Sequence, residues 1–139
     1  MQYKKIILIL SIIIIVMYTL ASIYFDSLKV DRHGICSVAT DLTDTGYAKI
    51  IFTKKDDIDC IVNKMNNIRL KKQNEFNPQG SKSPLGYVKF CYTDNTMLNF
   101  EIYGDSIYER ESKTWYELKT YVILHEELTG FFSEINKTD

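Results

Sequence analysis

Tyr87-Val88-Lys89-Phe90-Cys91-Tyr92-Thr93, then Asp94-Asn95-Thr96, then Met97-Leu98-Asn99-Phe100-Glu101-Ile102-Tyr103 is the stretch on which the fold turns. Both outer runs alternate in character, and successive side chains of a strand point to opposite faces, so each run reads as a strand. The tripeptide between them is turn-prone, which makes the pair a β-hairpin. Leu98, Phe100 and Ile102 stand against Asn99 and Glu101, so a sheet built on this hairpin has one covered and one wet side.

Downstream, Gly104-Asp105 and Ser112-Lys113 punctuate two further strands, 106–110 and 114–118, and a four-stranded antiparallel meander is expected. Tyr121, Leu124, Leu128, Phe131, Phe132 and Ile135 then recur at helical spacing, with Gly130 as a weak point. Upstream, residues 48–52 form a compact β-prone run. Thr53-Lys54-Lys55-Asp56 has the form of a helix N-cap followed by an acid three residues later. Ile58, Ile61, Val62, Met65 and Ile68 give an apolar stripe that reaches about Leu70. Asp56, Asp57 and Asp59 at its start and Arg69, Lys71 and Lys72 at its end suit the dipole of a single helix.

The segment from Gln73 to Gly86 contains Asn77, Pro78, Gly80, Ser81, Ser83 and Pro84 and has no period, so it reads as a long loop, an insertion or a contact element. The fold class expected is α+β, two layers, with a meander of about four strands packed against two helices over residues 48–139. Residues 26–47 read as a connector with one short strand around 35–39.

Ahead of this domain, Ile6 to Phe25 carries no charge, and at 1.5 Å rise per residue its 20 residues form a helix as long as the hydrocarbon core is thick. Residues 1–25 therefore read as a transmembrane anchor, with Tyr18 and Tyr24 as interfacial residues. A cleaved secretory signal is the competing reading, with Thr19-Leu20-Ala21 as the cleavage site. Lys4 and Lys5 outweigh the mixed Asp26, Lys29, Asp31 and Arg32, which keeps the N-terminus in the cytoplasm and sends the domain outside. A pilin-like leader fits less well, because no acidic residue lies near its start and Gly34 soon interrupts the pattern.

Fifteen of the 17 basic residues and all 18 acidic ones follow Phe25, a formal charge of −3 that argues against nucleic acid as a partner. Cys36, Cys60 and Cys91 are odd in number, so at most one bridge closes within the chain, and no Cys-x-x-Cys pattern points to redox chemistry. Cys60 falls away from the apolar stripe and Cys91 opposite Val88, Phe90 and Tyr92, which makes a bridge between those two awkward; Cys36 is left able to reach either.

His125-Glu126-Glu127-Leu128-Thr129 begins like a zinc-protease helix but has Thr129 where the second histidine belongs. His125 is then a surface residue of the last helix. No nucleophile elbow or phosphate-cradling glycine loop is present, and the acids at 56, 57 and 59 sit at a helix start rather than in a calcium loop. No enzyme, cofactor or metal site is expected. Asn136-Lys137-Thr138 is a glycosylation acceptor only in a eukaryotic secretory pathway.

Aromatic residues on the sheet remain. Strands favour them in any case, but on a wet face Tyr87, Tyr103, Trp115 and Tyr116, with Tyr108, would form an interaction surface. The chain thus reads as a membrane-tethered, noncatalytic domain that binds a protein or a cell-wall ligand, or alternatively as an immunity or inhibitor protein against a toxin or secreted enzyme.

Lys4-Lys5-Ile6-Ile7-Leu8, Thr53-Lys54-Lys55-Asp56-Asp57-Ile58, Tyr87-Val88-Lys89-Phe90-Cys91-Tyr92 and the aromatic-rich closing segment together resemble the uncharacterised small membrane-anchored or lipoprotein-type domains of Gram-positive bacteria. The resemblance covers most of the projecting domain and implies a bacterial cell-surface protein. It carries over no functional residue.

Overall fold

The computed structural model describes residues 2–24, 27–42, 49–73, 83–118 and 124–137. Helix α1 (Gln2–Tyr24) is followed by β1 (Ile35–Asp41), β2 (Ile50–Phe52), α2 (Lys55–Asn66), β3 (Leu70–Gln73), β4 (Gly86–Tyr92), β5 (Met97–Ile102), β6 (Ser106–Glu109), β7 (Thr114–Leu118) and α3 (Leu124–Lys137). The class is α+β. Within α1, the window Tyr3–Leu20 is long and apolar enough to cross a membrane and none of it is buried, as suits a span or a signal sequence.

The expected meander is present as β4 to β7, but it is the middle of a seven-stranded antiparallel sheet ordered β2-β1-β4-β5-β6-β7-β3. The hairpin turn is as read from the sequence. Asp94 Oδ1 accepts from the Thr96 N–H at 2.9 Å and its hydroxyl at 2.6 Å, which draws the Asp94 carboxyl below its usual value, and Asn95 takes the positive φ of 66° the turn requires.

Three strands enlarge the meander. The strand expected around 35–39 is β1, and it lies inside the sheet between β2 and β4 rather than along a connector. Leu28, Val30, Val38 and Leu42 are buried, so the segment read as a connector supplies part of the core. Its polar spacing, with Thr40 also buried, hid that role. β4 approaches β1 closely because residue 86 is glycine: a Cβ there would stand 2.4 Å from Leu42 Cδ2 and 2.7 Å from the Asp41 carbonyl oxygen.

β3 is the other departure. The stripe reaching Leu70 was read as one helix, yet α2 stops at Asn66, whose side-chain amide is engaged elsewhere. Its Oδ1 accepts from the Val30 N–H at 2.9 Å and its Nδ2 donates to the Val30 carbonyl at 3.0 Å. The Asn67 N–H closes the helix on the Asn63 and Lys64 carbonyls, and the chain crosses to the far edge of the sheet, where Leu70 pairs with Leu118. Arg69, Lys71 and Lys72 therefore do not serve the dipole of α2; its last-turn base is Lys64. At the start of α2 the cap is Lys54, not Thr53, and the Lys54 side chain makes no capping hydrogen bond.

Ile58, Ile61, Val62 and Met65 of α2 and Leu124, Leu128 and Phe132 of α3 meet the inward residues of the sheet in one core. Phe90 and Phe100 meet edge to face at 6.1 Å, and Phe52 reaches Phe132 at 6.0 Å, tying β2 to α3. An ion pair between Lys64 and Glu127 joins the helices on that same face. The start expected for the last helix at Tyr121 lies outside the described residues.

Candidate functional site

With α2 and α3 packed on one face, no described element covers the other, open face of the sheet. Register places Asp41, Tyr87, Glu101, Tyr108 and Trp115 in one row across five adjacent strands, each opposite the next. A cross-strand row holds neighbouring side chains within contact distance, so the row is a continuous strip.

Its centre is locked. Tyr103, just past the end of β5, donates its hydroxyl to Glu101 Oε2 at 2.9 Å, and Arg110 Nε donates to Glu101 Oε1 at 3.2 Å. Burial, and then the hydrogen bond to Glu101, push the Tyr103 hydroxyl well above the usual tyrosine value. The Trp115 ring packs at 5.1 Å from Tyr103 and 4.6 Å from Tyr108. Arg110, Glu101, Tyr103, Trp115 and Tyr108 thus form one connected group of hydrogen-bonded and stacked side chains.

Beside this group runs an open groove of about 310 Å³, lined by Ala39, Asp41, Lys49, Tyr87, Lys89, Asn99 and Arg110 among others. Asn99 is held through its backbone N–H, which donates to Glu111 Oε2 at 2.8 Å, and through its side chain, which donates to the same carboxylate. Lys49, Lys89 and Asp41 make no ion pair among the described residues. The groove therefore offers charges of both signs next to the 39% exposed ring of Tyr87.

Of the residues read as an interaction surface, Tyr87, Tyr103 and Trp115 come together on the open face, with Tyr108. Tyr116 does not. It packs against the core side, and its hydroxyl donates to Glu109 Oε2 at 3.1 Å. Consecutive residues of a strand cannot share a face, so Trp115 and Tyr116 were never compatible as one surface. Glu101 and Arg110 were missed, although Glu101 on an otherwise polar alternation marks the same side as Tyr87. Asp41, Ala39 and Lys49 escaped notice because they fall on or beside the segment read as a connector.

His125 corrects a second reading. It is only 6% exposed, and its Nε2 has no hydrogen-bond partner among the described residues. The side chain sits in the first turn of α3 facing inward, while the Thr129 hydroxyl donates to its backbone carbonyl at 2.7 Å. Among the described residues no three metal-ligating side chains converge. Comparison with protein-family models, curated proteins and solved structures finds no match.

Proposed function

We propose that the protein is a membrane-tethered, noncatalytic interaction domain, carried outside the cytoplasm by residues 6–25, that binds a protein or cell-wall ligand on the open face of its sheet. The carrying observation is the connected group of Arg110, Glu101, Tyr103, Trp115 and Tyr108. Tyrosine, tryptophan and arginine dominate interface energetics, and anchors already held in place lose little entropy on binding. The leader supports the tether by its length and apolarity, and Lys4 and Lys5 support the orientation.

A photo-crosslinking residue at Tyr87 in the full chain, expressed in intact cells, tests the reading. Adducts are expected and should be lost when Trp115→Ala is added; an adduct pattern indifferent to Trp115 overturns the open face as the contact. A membrane-impermeant thiol reagent should label the exposed Cys60 in intact cells. Labelling only after lysis would put the domain on the cytoplasmic side.

A further inference from the structure

The sequence leaves three cysteines with no assigned pairing, and the sheet brings two of them together. β1 and β4 run in register from Asp41 opposite Tyr87 down to Ser37 opposite Cys91, and then the register slips so that Ile35 stands opposite Tyr92. Cys36 is the extra residue of that bulge. At a bulge two residues of one strand oppose a single residue of the other, so Cys36 and Ser37 both stand across from Cys91. The Cys36 thiol already donates to the Cys91 carbonyl oxygen at 3.2 Å. The residue in direct register with Cys91 is Ser37, at the spacing of about 4.5–5.5 Å usual for opposed Cα atoms; Cys36 is next to it with its sulfur already at the Cys91 backbone, which puts the two cysteines near the range of about 4.4–6.8 Å that a disulfide bridges.

We infer that Cys36 and Cys91 are a disulfide-forming pair that fastens β1 to β4. Cys60 is excluded as a partner. It is exposed on α2, the helix that covers the other face of the sheet, and points away from the core shared by helix and sheet. Cys36 is exposed and Cys91 half-buried, which makes Cys36 the sulfur an oxidant meets first. The co-reactant is a disulfide of small-molecule or oxidoreductase type. The Cys36 thiolate attacks one of its sulfurs, and the first external thiolate leaves. The Cys91 thiolate then attacks the Cys36 sulfur of the mixed disulfide, and the second external thiolate leaves. Two protein thiols are oxidised by two electrons, one external disulfide is reduced to two thiols, and the two protons end on the departing sulfurs.

That this bond persists in the cell rests on the extracytoplasmic placement proposed above, so pairing and placement are tested separately. Purified full chain is equilibrated with oxidised and reduced glutathione, quenched with acid, alkylated under denaturing conditions and mapped by mass spectrometry. The expected product takes up one alkyl group, at Cys60, and yields a reducible peptide joining the segments that carry Cys36 and Cys91. Cys60→Ser should leave that peptide in place, and Cys36→Ser should free Cys91 for alkylation. Three alkyl groups under oxidising conditions, or a bridge that Cys60→Ser abolishes, overturns the pairing. The same mapping on acid-quenched whole cells is expected to show the bridge. A bridge that closes in glutathione buffer but is absent from cells overturns the placement and leaves the pairing standing.

Discussion

The helix-covered face of the sheet and its open face are made from alternate residues of the same strands, yet they are held by different forces. On the covered face Val38, Val88, Phe90, Phe100, Ile102 and Ile107 are each at most 1% exposed, so cohesion comes from non-directional removal of apolar surface from water and from close packing. On the open face the order comes from directed contacts: one carboxylate that accepts from a tyrosine and an arginine, and one indole between two phenol rings. The first arrangement supplies stability and reads nothing about a partner. The second contributes less to stability but holds chemically distinct groups side by side at the surface, which is what the proposed binding role requires.

Truncations across the two faces give the largest test of this contrast. Phe90→Ala, which empties space beside Phe100, should destabilise the domain by about 3–5 kcal/mol in urea unfolding. Tyr87→Ala, one residue removed from the same inward row, should change stability by no more than about 0.5 kcal/mol. Equal losses at the two positions would erase the division of labour.

A smaller effect is expected where a polar side chain serves the covered side. Asn66→Ala removes both hydrogen bonds to the Val30 backbone, and a buried backbone pair left unpartnered costs about 1–3 kcal/mol. Hydrogen exchange should show the Val30 amide losing protection before β1 does; unchanged protection there would mean that the amide pairs elsewhere.

The smallest expected effect belongs to the open face and appears only in alkali. The Tyr103 hydroxyl is held above its ordinary value of 10.0 by burial and then by Glu101. An unfolded chain releases that proton near the ordinary value while the folded chain keeps it, so the native state binds more protons there. The contribution is complete below pH 10 and declines as the pH rises beyond it. Tyr103→Phe should flatten the alkaline limb of the stability curve, and Glu101→Gln should bring the late-titrating tyrosine back toward its neighbours in an ultraviolet titration. Tyr92 is also raised, by burial and by Asp31 and Asp94, so the comparison is between variants: a late tyrosine transition unchanged by Tyr103→Phe would show that Tyr103 is not so held.

Local pattern made the hairpin legible, because Val88, Phe90, Phe100 and Ile102 alternate cleanly and the turn residues between them have one structural use. It made the helices legible for the same reason, at a different period. What it concealed were the long-range pairings. The apolar stripe was read on to Leu70, so nothing local marks the exit at Asn66; the side chain there is instead bonded to the backbone of Val30, 36 residues away in sequence, a contact no local pattern can show. β1 alternates with Thr40 in its inward set, and a buried threonine looks like an exposed one until β4 is laid beside it. The candidate site divides in the same way. Tyr87, Tyr103 and Trp115 were visible as aromatics on strands, whereas Glu101, Arg110 and the groove exist only once β1, β4, β5 and the turn after β6 are adjacent. Tyr116 was separable by alternation alone, and His125 by its place beside Leu124 in a stripe that turns inward.

The clasp between Asn66 and Val30 has a mechanical meaning. Only three residues separate Tyr24, the last of α1, from Leu28, the first of the core, a reach of about 15 Å even when fully drawn out. Tension between the leader and anything gripping the open face therefore enters the domain at Leu28 and Val30 almost without slack. It meets the paired amide bonds of Asn66, anchored in a helix, before it can reach Ile35 and the ladder of β1. A pull applied between the leader and the far face would load these two bonds as a short shackle, ahead of the sheet itself.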